Sequence, residues 1–110
     1  MPDEMQVSVI IPAFNEADYL PEAIRSVIHQ TRPPLEIVVV DDGSTDATPS
    51  AAASFGVAIR YDRQPHRGLS ATLNRGIQLA QGNLLAFLDG DDIWIPDKLQ
   101  KQVAVLRANP

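Results

Sequence analysis

A chain of 110 residues has room for one domain with a real hydrophobic core and for no second one. Its 45% hydrophobic and 21% charged content is that of an ordinary globular protein, and the lack of cysteine excludes disulfides, zinc-thiolate sites and thiol nucleophiles, leaving Asp and Glu oxygens for any metal chemistry. The net charge of −5 is local: Asp41, Asp42, Asp46, Asp89, Asp91 and Asp92 are six of 14 acids, the other eight face nine scattered Lys and Arg, and no nucleic-acid partner is expected.

In chain order, "VSVIIP" (7–12) reads as a strand, its nearly continuous apolar run suiting burial on both faces. A helix follows over 18–30, with Leu20, Ala23, Ile24, Val27 and Ile28 on one stripe and Asn15 with Asp18 as its expected cap. "LEIVVVD" (35–41) is a second continuous strand. A weaker helix starts near Thr45 or Asp46 and runs through "PSAAASF" to a stop at Gly56, with Ser44, Thr45 and Asp46 as turn and cap residues. "VAIRYD" (57–62) alternates and suits a sheet edge. The next helix, about 69–81, aligns Leu69, Leu73, Ile77 and Ala80 and ends at Gly82. "NLLAFLD" (83–89) is the fourth strand, and a last helix has Pro96 in its first turn with Leu99, Val103 and Leu106 turned inward. This order, βαβαβαβα, predicts an α/β fold: a Rossmann-like, mostly parallel sheet with right-handed crossovers and helices on both faces.

In such a sheet, ligands bind beyond the carboxyl ends of the strands. Those ends carry "PAFNE", "DDGSTD" and "DGDD", so three distant segments are expected to form one cleft. Three carboxylates within four positions, Asp89, Asp91 and Asp92, repel one another unless a cation neutralises them, although Asp also serves in turns and caps. Oxygen ligands without His or Cys select Mg²⁺ or Mn²⁺, ions that commonly share their coordination with substrate phosphates. Asp42, at the end of the second strand, is a candidate ligand to a base or ribose. Neither G-x-G-x-x-G after the first strand nor G-x-x-x-x-G-K-[ST] occurs, and a G-x-S-x-G elbow is also missing.

The segments "VSVIIPAFNEADYLPEAIRSVIHQT", "EIVVVDDGSTDAT" and "RGLSATLNRGIQLAQGNLLAFLDGDDIWIPDKL" together resemble the N-terminal half of a family 2 glycosyltransferase of GT-A fold, over residues 6–107. The resemblance implies a sheet order of 3-2-1-4, a nucleoside-diphosphate-sugar donor (UDP-linked foremost, GDP- or dTDP-linked otherwise), a divalent ion, Mn²⁺ or Mg²⁺, and inversion at the anomeric carbon. It places Pro12, Ala13 and Glu16 in the loop touching the nucleoside, and Asp42 at the base. Asp89 and Asp91 form the D-x-D element, with Asp91 as metal ligand and Asp89 nearer the ribose and donor sugar. His66, in "HRG", stands where the family commonly has Asn, and Arg67 is positioned to reach a phosphate or to remain solvated. Asn74 and Trp94 match the pattern as helix packing and wall.

By the same resemblance, residues 1–110 are the donor-nucleotide-binding half of a truncated GT-A domain. The catalytic base is then expected C-terminal to them, the fragment alone is expected to be inactive, and the uncovered edge of the fourth strand invites self-association. A sugar-nucleotidyltransferase would want a glycine-rich basic phosphate loop after the first strand, which "PAFNEADY" does not supply; a non-catalytic nucleotide-binding module is the remaining alternative. No apolar run approaches the roughly 20 residues of a membrane span, and "MPDEMQ" lacks a signal peptide's basic flank. The expectation is a cytoplasmic segment of a protein that could be membrane-associated at full length.

Overall fold

Side chains alternate across a strand, so a strand buried at every position must be covered on both sides. The first strand, β1 (Val7–Ala13), meets that condition throughout. In the computed structural model, which describes residues 5–109, β1 pairs in parallel with β2 (Glu36–Asp41) and β4 (Leu84–Phe87), and β2 pairs with β3 (Arg60–Arg63). The order is β3-β2-β1-β4, as the family resemblance implies.

Val7, Val9, Ile11 and Ala13 share one core with Ile37 and Val39 beneath three helices, α1 (Leu20–Ile28), α2 (Thr48–Ala53) and α4 (Lys98–Ala108). The alternate residues of β1 and β2, among them Ile10, Val38 and Val40, turn to α3 (Leu69–Leu79) on the other face.

Several expectations are corrected by packing. The buried face of α3 is Thr72 and Gly76, not the Leu69–Ile77 row; a Cβ on Gly76 would meet the side chain of Ile10, so the helix approaches the sheet through its small residues. Leu69 and Ile77 stay 60% and 42% exposed. β3 starts at Arg60 because Gly56–Ala58 forms a 3-10 turn with Gly56 at φ 55°, which leaves Val57 in solvent. α2 correspondingly ends at Ala53, before Gly56. In β4, Leu85 and Phe87 are exposed, on the side of the strand opposite its partly buried residues Leu84 and Ala86. Leu99 and Val103 of α4 are buried as expected, whereas Leu106 is 44% exposed and the helix begins after Pro96, at Lys98. Neither Asn15 nor Asp18 caps α1, whose N-cap is Tyr19, and Ile28 at its far end lies outside the buried stripe.

The amino ends of the strands are fastened by a polar stitch. Ser8 Oγ donates to Glu36 Oε2 at 2.6 Å, and the Gly82 and Gln81 N–H groups donate to Ser8 Oγ (2.8 Å) and Glu36 Oε2 (2.6 Å). A Cβ on Gly82 would collide with Gln6 O and Ser8 Oγ, so only glycine lets the chain pass there. Among the described residues no helix is long and apolar enough to cross a membrane.

Candidate functional site

The opposite, carboxyl end of the sheet gathers the loops expected to form the cleft. The loop after β1 is laced to the loop after β2 by hydrogen bonds that include Asn15 N–H to Ser44 Oγ (2.9 Å), Thr45 N–H to Asn15 Oδ1 (2.8 Å), Glu16 N–H to Thr48 Oγ1 (2.9 Å) and Ala17 N–H to Asp46 Oδ2 (3.2 Å). Asn15 adopts φ 52°, a left-handed conformation that Asn tolerates better than most residues. Asp46 also accepts the Thr48 N–H at 2.9 Å at the start of α2, so it stays a structural turn residue as the sequence suggests. Hydrogen bonds led by the Thr48 hydroxyl hold its carboxyl below the ordinary range.

Asp41 and Asp42 are both buried, yet they serve different loops. Asp41 accepts from Ser44 N–H (2.8 Å) and from the Tyr61 hydroxyl (2.6 Å). Burial, followed by the Asp41 carboxylate, pushes the Tyr61 hydroxyl up to about 12. Asp42 organises the segment after β3: it accepts from Gln64 Nε2 (2.9 Å), Arg67 N–H (2.8 Å) and Gly68 N–H (2.9 Å), and its Oδ2 lies 3.0 Å from His66 Nδ1. Burial alone would raise its pKa, but the bonds from Gln64, Arg67 and Gly68, with His66 beside it, outweigh burial and leave it lowered. Gly43, at φ 78°, lets the His66 backbone come within 2.7 Å of where a Cβ would stand.

A cavity of about 380 Å³ opens between these loops, of a size that takes a small molecule. Its wall includes Pro12, Ala13, Glu16, Asp42, Asp89 and Asp91, so six of the seven residues expected from the sequence meet in one place. The seventh, Arg67, is exposed and outside that wall, tied in through its backbone. Phe14, Gly68, Leu69 and Thr72 also line the cavity without having been singled out as ligands. Phe14 had one signal, an aromatic residue just past a buried strand. Thr72 had none, because hydrophobic periodicity favours the leucines beside it. Trp94 is buried in the core rather than in the cavity wall, and Asn74 is exposed.

Asp89, Asp91 and Asp92 are exposed, and each offers a carboxylate oxygen within 4.8 Å of the others. Glu16 adds a fourth acid: its Oε2 is buried without a hydrogen-bond partner among the described residues. Burial, then Asp91, with smaller contributions from Asp89 and Asp92, raises the Glu16 pKa against a hydrogen bond from the Phe14 backbone. An all-oxygen donor set of this charge, with one orphaned oxygen beside it, fits a hard divalent cation.

The chain is similar to glycosyltransferases in sequence and in structure. An uncharacterized glycosyltransferase of Rickettsia conorii is 44% identical over 102 residues, spanning 91% of this chain and 17% of the relative. S. aureus TarS 1-349 in complex with UDP-GlcNAc superposes with a TM-score of 0.82 at 28% identity, covering 94% of this chain and 32% of that one. The mannosyltransferase PcManGT from Pyrobaculum calidifontis, in complex with GDP-Man and Mn2+, gives 0.79 at 31% identity, over 96% and 33%. The chain thus spans about a sixth of that curated relative and a third of each solved chain. The family model for glycosyl transferase family 2 matches residues 8–110, and the chain belongs to that family.

Proposed function

We propose that the cavity binds a nucleoside-diphosphate-sugar donor, a UDP-sugar foremost, and that these residues are the donor-binding part of an inverting, metal-dependent glycosyltransferase. The convergence of Pro12, Ala13, Glu16, Asp42, Asp89 and Asp91 on one cavity carries the reading. UDP-GlcNAc on one structural neighbour, and GDP-Man with Mn2+ on another, support it.

In this assignment Pro12 and Ala13 border the nucleoside, Glu16 stands between the nucleoside loop and the acidic turn, and Asp42 fixes the base side. Arg67, through its exposed side chain, reaches the diphosphate; Asp89 faces the ribose and donor sugar. Asp91 holds the divalent ion, Mn²⁺ or Mg²⁺, which when bound supplies Lewis-acid neutralisation of the departing diphosphate. Three clustered carboxylates repel a diphosphate in the absence of a cation, which makes the ion a condition of binding.

The acceptor hydroxyl attacks from the face opposite the leaving group, inverts the anomeric carbon and needs a base. Asp42 is saturated by its own loop, and the remaining acids of the cavity surround the cation and donor. The base is therefore assigned to residues C-terminal to 110, and the exposed edge of β4, with Leu85 and Phe87, to self-association of the isolated chain. Calorimetry with UDP, GDP and dTDP tests the central reading: binding is expected in Mn²⁺ and lost in EDTA. Equal affinity under both conditions overturns the metal-dependent site.

A further inference from the structure

Phe14 and His66 come from loops at two different strand ends, yet their ring centroids are 4.3 Å apart with 31° between planes. Both line the cavity. Backed by the imidazole, Phe14 still leaves 41% of its surface open. The imidazole cannot turn freely, because Nδ1 lies 3.0 Å from Asp42 Oδ2 and 3.2 Å from the Asp42 carbonyl oxygen. Asp42 is itself fixed by Gln64, Arg67 and Gly68. The backbone of His66 is pinned as well, against a glycine at position 43 that a larger residue could not replace without displacing it.

We propose that His66 is a positioning residue that holds the Phe14 ring as a preorganised flat wall for the nucleoside base; this rests on the donor-binding reading above. Two physical terms support it. An aromatic pair in close, tilted contact restricts both rings, so the Phe14 ring is held before the ligand arrives. A side chain already ordered loses less freedom on binding than one that must be immobilised by the ligand. The role needs a ring at position 66, and the bond to Asp42 alone does not supply it. It also concerns the base only: the diphosphate meets the acidic turn and its cation at another part of the cavity.

The experiment compares, by calorimetry in Mn²⁺, the affinity of the purified chain for the tightest-binding of UDP, GDP and dTDP with its affinity for inorganic pyrophosphate. His66→Asn, which keeps a polar partner for Asp42 but has no ring, is expected to weaken the nucleotide by about three- to tenfold, the equivalent of one immobilised side chain, and to leave pyrophosphate unchanged. His66→Phe, which keeps the ring, is expected to bind the nucleotide as the unsubstituted protein does. Should His66→Asn not fold, His66→Leu takes its place with the same expectation. Equal nucleotide affinity in the ringless and ring-bearing variants overturns the proposal, as does a parallel loss of nucleotide and pyrophosphate. Failure of the unsubstituted chain to bind any of the three nucleotides instead overturns the donor-site reading, and this inference with it.

Discussion

The carboxyl of Glu16 lies against Gly90, where a Cβ would stand 3.1 Å from Glu16 Oε2 and 3.1 Å from the Pro12 carbonyl oxygen. The loop after the first strand and the acidic turn after the fourth are therefore built to one another's shape, and their charges are coupled. Because Glu16 has a folded-state pKa above the ordinary 4.5, the fold favours its protonated form, and its ionisation opposes folding. That cost is absent below 4.5 and complete above the raised folded value. Glu16→Gln should therefore raise the melting temperature at neutral pH and give no gain below 4.5, which melts at two pH values will show.

Asp91 and Asp46 are both acids in loops at the same end of the sheet, but the proposed donor site gives them different duties: Asp46 is bonded to the Ala17 and Thr48 N–H groups, and Asp91 belongs to the exposed acidic cluster. Asp91→Ala should remove most Mn²⁺-dependent nucleotide affinity while the melting temperature holds. Asp46→Ala frees the Ala17 and Thr48 N–H groups and should lower the melting temperature with metal-dependent binding retained in the folded fraction. Calorimetry beside thermal melts separates the two, and the reverse pattern would exchange the assignments.

Asp42 supplies stability of the opposite pH sign to Glu16. Its folded pKa lies below the ordinary 3.8, so the contribution is whole above 3.8 and disappears as pH falls through the lower folded value. Asp42→Asn replaces an acceptor oxygen by a donor facing donors and should cost about 1–3 kcal/mol at neutral pH. Denaturant titrations should show this deficit shrinking at the acid end, as the unsubstituted protein loses the advantage.

Gly76→Ala tests the packing of α3. The new methyl meets Ile10, and overpacking of this kind costs about 1–3 kcal/mol. Ile10→Ala in the same chain removes the γ carbons that the methyl meets, so the double variant should lose less than the sum of the two single variants, measured by chemical denaturation of all three.

The purified chain should bind donor without transferring sugar, since losing a positioned base typically costs about 10² to 10⁴ in rate. A coupled diphosphate-release assay with acceptor present should stay at background. Size-exclusion chromatography should show concentration-dependent association that Phe87→Lys, on the open side of β4, reduces. Acceptor-dependent turnover by a monomer would refute both expectations.

The sheet was legible because β1 and β2 are nearly continuous in apolar character, a pattern that suits double-sided burial. The cleft followed from topology, since parallel strands bring their carboxyl ends together wherever the loops lie in sequence. α3 was legible as a helix but not in its orientation: hydrophobic periodicity ranks Leu69, Leu73 and Ile77 above Thr72 and Gly76, whereas close approach to Ile10 selects the smaller pair. Val57 shows the same blindness in another form, an apolar residue beside a strand that a positive-φ glycine turns outward. The duties of Asp42 were the least legible, because its partners Gln64, Arg67 and Gly68 are defined only once β3 is seated beside β2.

The stitch of Ser8, Glu36 and Gly82 fastens the sheet at the end away from the cavity, and it uses none of the cavity's residues. Inheritance can therefore act on the two ends separately. The loops that line the cavity can change as exchangeable cassettes on a frame whose alignment is set elsewhere.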